Sequence, residues 1–576
     1  MARALELPPR AYVAPIARAG RGCRTSPHRS DGRGVAAQVP YSGDVPPSRT
    51  RAASTPLRAD LASAVVTEAG YERTGLASLI ARSALRRPNA ASATSYPEES
   101  IRVEQTANLD ASVALRAQSH DWVALLRLIC RHGTRVLAQG RAKTLRKWVA
   151  TFPAKFAADV PWVGYWSGAA TIGESPTAAR ALFGKAWMAF ETRTDFVGQL
   201  LCAAGILETY QFEWTSFEAA RDWTVRLEGC LAKGAIVICP ETELRVMANW
   251  LFARTKVFPG LDPSVSCMGR MRPLFHRGLD VNQRLFAARS QLLALCSRAD
   301  LEGVRAEAAR IGLMLDEPGC TPISRVLALN VVAHGLWLAG AFVEADSVMR
   351  DCIRTAREAG VTLNDPLHHE VRQLLAFSLG HPPETLDSLF ALQRTIHPGF
   401  HYGMSMLKCA LAQQAMANGD HRSALNHAAA AVSRADSAWA IDAQLSTRLA
   451  LSTAFALEGE HSEAARVLHE AEALVDGDPR ELSRRDIELV GAFLALKRSD
   501  RSECRRLLGR SLSASRMASQ AFARFPGQMA ELCMEALRAG IAVGVVHELI
   551  GQYRLRPAAG AGDPRPRMFR VLRAVS

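Results

Sequence analysis

The residues that could do chemistry are few and scattered along this 576-residue chain. His368-His369-Glu370 and the pair His397/His401 are its tightest histidine groupings. No H-E-x-x-H occurs, and Pro398-Gly399 breaks the helix that would put His397 and His401 on one face for a metal. The twelve cysteines, among them Cys130, Cys202, Cys239, Cys296, Cys352, Cys409, Cys504 and Cys533, include no C-x-x-C pair. Most fall in apolar helical stretches, where a free cysteine packs as a small hydrophobe, a usage that suits a reducing compartment. There is no G-x-S-x-G elbow for a serine nucleophile. There is no P-loop either: the nearest Gly-Lys is Gly184-Lys185, and Ala179 stands where the first glycine is needed. The expectation is no catalytic residue, no metal and no cofactor.

Binding has a better candidate. Asn330, His334 and Trp337 follow one another at i, i+4 and i+7, which puts them in one stripe on a helix. If that helix faces a groove, the stripe offers polar and aromatic groups to a small effector or an extended peptide. The competing reading is burial of the stripe between neighbouring repeats. The aromatic run Trp162, Tyr165 and Trp166 reads as core.

The elements that would position this stripe repeat along the chain. From about Ala111 to Leu555 the sequence is Ala/Leu/Arg-rich with helical periodicity and short breaks. The one β-like run, Ala235-Ile-Val-Ile-Cys239, ends at Pro240. Leu338-Ala-Gly340-Ala-Phe-Val-Glu-Ala345, Ala417-Asn-Gly419-Asp-His-Arg-Ser-Ala424 and Glu458-Gly459-Glu-His-Ser-Glu-Ala464 share one plan. Each is a helix end, a glycine turn, and a small residue opening the next helix. Gly340, Gly380, Gly419 and Gly459 are spaced by 40, 39 and 40 residues, Ser499 continues the series, and Ala299 precedes it. The next-helix anchors are Val304, Ala345, Thr385, Ala424, Ala464 and Cys504. A fainter pair of turns stands upstream at Gly173–Ala179 and Trp214–Ala219.

The residue choices have physical causes. Glycine permits the positive φ that ends a helix, an Asp, Glu or Ser after it caps the next one, and the small anchor lets the two helices pack closely. A helix pair of this length cannot bury its apolar face alone, so neighbours stack. The fold expected is all-α: a tetratricopeptide-like α-solenoid, a right-handed superhelix of helix pairs with about 40 residues per repeat. In such an array the first helix of each pair lines the concave face.

The termini differ from this body. Residues 1–110 carry Pro, Ser, Gly and Arg clusters without sustained periodicity, although a short helix around Leu61–Thr67 is compatible with the pattern, and are expected to be poorly ordered. The net charge of +14 comes from 62 Arg and only 8 Lys against 56 acids, and residues 1–60 alone contribute about +6 of it. The excess thus sits more on a tail than on a folded groove. The organisation expected is a segment at 1–110, a helical-repeat domain at 111–557 and a basic tail at 558–576. No run of apolar residues is long enough to span a bilayer and no secretory leader is visible, so the chain is expected to be cytoplasmic.

Order and spacing together resemble the tetratricopeptide-like region of the bacterial MalT-like (LuxR-type, STAND-class) transcription regulators. The resemblance covers about residues 111–557. It is carried by the turns above, by Asp121-Trp-Val-Ala-Leu-Leu-Arg-Leu-Ile-Cys-Arg-His-Gly133 with Leu137–Arg141 and Leu145–Trp148, and by Pro161-Trp-Val-Gly-Tyr-Trp166. Near the end, Glu531–Ile541 and His547–Pro557 look like the close of that helical region. Both the P-loop ATPase and the DNA-binding module of such regulators are missing, so the chain resembles the middle of one without either end. The resemblance implies a non-catalytic module that senses an effector or binds a protein partner in its concave groove. The alternative is a transcription regulator that binds DNA directly, through its basic ends or an unrecognised helix pair.

Overall fold

The computed structural model describes residues 109–555 apart from short breaks at 234–239, 259–263, 277–278, 362–364, 380–385, 397–398, 477–480 and 514–518. The segments 1–108 and 556–576, the run Ala235–Cys239, Gly380, Thr385 and His397 lie outside the described residues. The described chain is all helical, without a strand, and its helices pack in neighbouring pairs, consistent with an α-solenoid.

The turns explain the pairing. Gly340, Gly419 and Gly459 adopt φ of +77°, +75° and +84°, and Ala299 and Ser499 take φ of 59° and 62° at the corresponding places. This left-handed residue ends each first helix and reverses the chain. Where an aspartate follows, it caps: Asp300, Asp420 and Asp500 accept from the backbone N–H of Gly303, Ser423 and Glu503 at 2.9–3.0 Å. Ala341 and Glu460 make no such side-chain bond. The anchors Val304, Ala345, Ala424, Ala464 and Cys504 are fully buried, which is where the second helix of each pair touches the first.

The first helices start at Trp122, Pro161, Phe196, Pro240, Val281, Pro322, Asp365, His401, Ile441 and Glu481. Each except Asp365–Leu379 packs on its own second helix, and from Phe196 onward successive first helices pack on one another up to Glu481–Lys497. They are therefore buried nearly all round, whereas second helices bury one stripe. His421–Ala438 is the clearest case: Ala424, Ala428, Ala431, Ala435 and Ala438 are fully buried and the opposite face is wet. Trp162, Tyr165 and Trp166 belong to the core, as the sequence predicts. Eight of the ten cysteines among the described residues are buried and all are free.

The array also curls on itself. Helix Pro240–Val257 touches Ile441–Glu458, and Val281–Arg298 touches Glu481–Lys497. The backbone N–H of Phe217 donates to the carbonyl of Ala438 at 2.8 Å. At the other end Arg554 donates to the carbonyl of Leu379 at 2.7 Å, and Tyr553 packs on Phe342.

Candidate functional site

The curl turns the inner face into a cavity of about 160 Å³. Every first helix from Pro240–Val257 to Glu481–Lys497 contributes to its wall. Helix Pro322–Leu338 supplies Leu327, Asn330, Val331, His334 and Leu338, the i, i+3, i+4, i+7, i+11 face that helical geometry puts on one side. Two residues of the predicted stripe, Asn330 and His334, thus face the cavity. Trp337 does not. It is fully buried and its indole N–H donates to Ser378 Oγ of the next first helix at 2.9 Å. A large ring near the helix end gains more by filling the seam with that neighbour than by standing in the cavity. The His334 ring lies against it, with centroids 5.9 Å apart.

Three cations and three acids also line the wall. Lys256 binds Asp442, and Tyr402 bridges them: its hydroxyl accepts from Lys256 at 3.2 Å and donates to Asp442 at 3.0 Å. The Lys256 ammonium also sits 4.8 Å from the Tyr402 ring centroid and 5.2 Å from that of Trp214, within cation–π range. Burial would raise the Asp442 carboxyl, but the Lys256 charge and these hydrogen bonds outweigh it and hold the carboxyl below its usual value. Arg524 binds Glu370 at 3.0 Å and reaches Cys409 Sγ at 3.9 Å. Asp486 accepts from the Ser519 hydroxyl and from Ala521 N–H, and burial pushes its carboxyl up to about 6.

The third cation, Arg289, has no acid of its own. It donates to the neutral Gln211, whose amide donates to Asn249 at 2.7 Å, and Asn249 in turn donates to Glu208 at 3.0 Å. Glu208 is already held by Arg245 through two bonds of 2.6 and 2.9 Å. Burial pulls Arg289 down to about 10, which leaves it charged at neutral pH. The Asn330 Nδ2 amide, also buried, has no acceptor. His334 is lowered to about 4 by burial and by the charges of Lys256 and Arg524, so it is a neutral ring at pH 7.

Two groups of the wall are held in their protonated forms. Cys296 lines the cavity, but burial pushes its thiol up to about 12, far from a nucleophilic thiolate. Tyr402 is raised well above its usual value by burial and by Asp442, so it stays protonated. Among the described residues no group of three His, Cys, Asp or Glu is placed to hold a metal. Of the histidine groupings, His368 is buried with Nε2 3.5 Å from Cys352 Sγ, Glu370 is taken by Arg524, and His401 meets Arg434 at 3.4 Å. No described helix is long and apolar enough to cross a membrane.

Arg289, Lys256, Asp442 and Arg524 escaped the sequence reading because they come from four different helices, and Glu370 entered it only as the neighbour of His368 and His369. The one local signal, for those on first helices, is a charged residue on an otherwise buried helix, as Arg289 stands between Ala287, Ala288 and Ser290. A scan against protein-family models finds no match to this chain, and a search of curated proteins finds none either.

Proposed function

We propose that this chain is a non-catalytic, tetratricopeptide-like helical-repeat module that senses a small molecule in its inner cavity. The observation that carries this reading is the cavity itself: its wall is assembled from successive repeats and holds a buried cation without an acid and a buried amide without an acceptor. A ligand touching several first helices at once would bias the curvature of the array, because it binds one curvature better than another. The turns with positive φ and the small buried anchors support a repeat of about 40 residues, and the proposed superhelix of these pairs is right-handed.

The notion of a sensor module related to MalT-like regulators, acting in the cytoplasm and passing its state to a protein partner, rests on the turns and spacings of the sequence. An extended peptide suits the cavity less well, because contacts between Pro240–Val257 and Ile441–Glu458 cross the inner face. Direct DNA binding also has less support. Many arginines on the outer helices are engaged by acids one turn away, as Arg466 is by Glu463 and Glu470 and Arg506 is by Glu503. The test is thermal denaturation of the full chain against a set of ring-sized molecules, beside titration with duplex DNA at low and high salt. The reading expects stabilisation by a small molecule. Salt-sensitive DNA binding with sequence preference and no small-molecule response would overturn it.

A further inference from the structure

We infer that the cavity takes a small monocarboxylate with an apolar body, its anionic end held by Arg289 and Asn330. This rests on the cavity reading above and adds the class of ligand.

Charge balance comes first. Lys256 is matched by Asp442, Arg524 by Glu370 and Arg245 by Glu208. Arg289 is left over, only 6% exposed, and bonded to a neutral amide. The remaining acid of the wall, Asp486, is bonded by Ser519 and Ala521, and the cations that act on it are Arg524 and Arg485 rather than Arg289. A buried charge is ordinarily paired, and Arg289 has no carboxylate bonded to it. A single cation without a carboxylate fits a monoanion and not a phosphate dianion, whose second charge would find no second such cation.

Hydrogen bonding agrees with this. Asn330 Nδ2 is a buried donor without an acceptor, a costly state that a ligand oxygen would relieve. A planar carboxylate has two oxygens for a guanidinium and an amide donor. The rest of the ligand meets Leu293, Leu327 and Val331, which ask for an apolar body. The size is also limiting: a cavity of about 160 Å³ is close to one known to hold a benzene ring.

Calorimetric titration of the full chain with benzoate, benzyl alcohol and inorganic phosphate tests this. Benzoate is expected to bind at least about tenfold more tightly than benzyl alcohol, the difference a charge-assisted hydrogen bond supplies. Asn330→Asp should weaken benzoate by at least about tenfold and leave benzyl alcohol within about threefold. Because Asn330 Nδ2 has no partner to lose, that variant should keep its helical circular dichroism. Arg289→Gln should act in the same direction. Equal binding of the two ring compounds, both indifferent to Asn330→Asp, would overturn the carboxylate assignment and leave the cavity reading standing. Phosphate binding as tightly as benzoate would overturn the apolar monoanion. No binding of any of the three would sink both this inference and the cavity reading.

Discussion

The ammonium of Lys256 is bonded to the carboxylate of Asp442, 186 residues further along the chain, with the Tyr402 hydroxyl between them. In a stack whose repeats touch only their neighbours this contact would not exist. It ties the inner face shut. Lys256→Met leaves Asp442 with only Tyr402 and the Ala443 N–H. Asp442 also faces the cavity, so the cost is discounted from that of a fully buried pair to about 2 kcal/mol. The double variant Lys256→Met/Asp442→Leu should recover at least about 1 kcal/mol of this, since no charge is then stranded. Urea midpoints of the wild type, both single variants and the double variant check this, and additive losses would show that the pair is uncoupled.

Two glycines within helices should respond to alanine with opposite signs. A Cβ on Gly205 would lie 2.5 Å from the ring of Phe183, which is fully buried and has nowhere to move. Gly205→Ala should cost about 1–3 kcal/mol through overpacking. Gly312 sits on a wet face of helix Leu301–Leu315 with nothing within 4 Å. Gly312→Ala should stabilise by about 0.5–1 kcal/mol, the ordinary helix preference of alanine over glycine. Thermal melts of both variants decide whether the ring or the propensity governs.

The turns make a second opposed pair. Ala299 takes φ of 59° where three later repeats use Gly340, Gly419 and Gly459, and Gly419 takes φ of +75° with open space around it. A side chain at positive φ costs roughly 1–2 kcal/mol. Ala299→Gly is therefore expected to gain about 1 kcal/mol, and Gly419→Ala to lose about as much. Equal and opposite shifts in denaturation midpoint would confirm a shared turn geometry; two losses would mean that Ala299 Cβ contributes packing.

Much of the array could be read from sequence because these turns are local. Glycine, aspartate and a small anchor within six residues state the geometry without any distant partner, and Ala424, Ala464 and Cys504 are buried as their spacing requires. The cavity is different in kind. Its charges meet only after several small rotations between repeats have accumulated, and no window of sequence contains that sum. Trp337 shows the same limit at smaller scale: a helical wheel gives the face of a residue, but not which neighbour covers it.

Stability should fall between about pH 6.5 and pH 4. His334 and His368 are each lowered to about 4 in the folded chain, so between these values the unfolded state binds more protons and acid favours it. The cause at His334 is burial, then Lys256 and Arg524, with Asp442 opposing. Each histidine accounts for at most about 3 kcal/mol. Asp486 runs the other way. Raised to about 6 by burial, it binds its proton more tightly in the folded chain and penalises folding as pH rises from about 4 to 6. Relative to wild type, His334→Asn should lose less stability on acidification, and Asp486→Asn should gain as pH rises. Urea denaturation across this range measures both, and a variant that parallels the wild type at every pH would remove its residue from the account.

The bond between Phe217 and Ala438, with the other ties across the inner face, also bears on how the protein is made. A ribosome releases the chain from its N-terminus, and repeats that rest only on their neighbours can settle as they emerge. The cavity cannot. Its wall needs Asp442 and Asp486 and is closed by Arg524 and Phe525, close to the last described helices. A nascent chain that has not yet reached Phe525 therefore presents helices but no complete pocket, and the pocket first exists once that residue has been added.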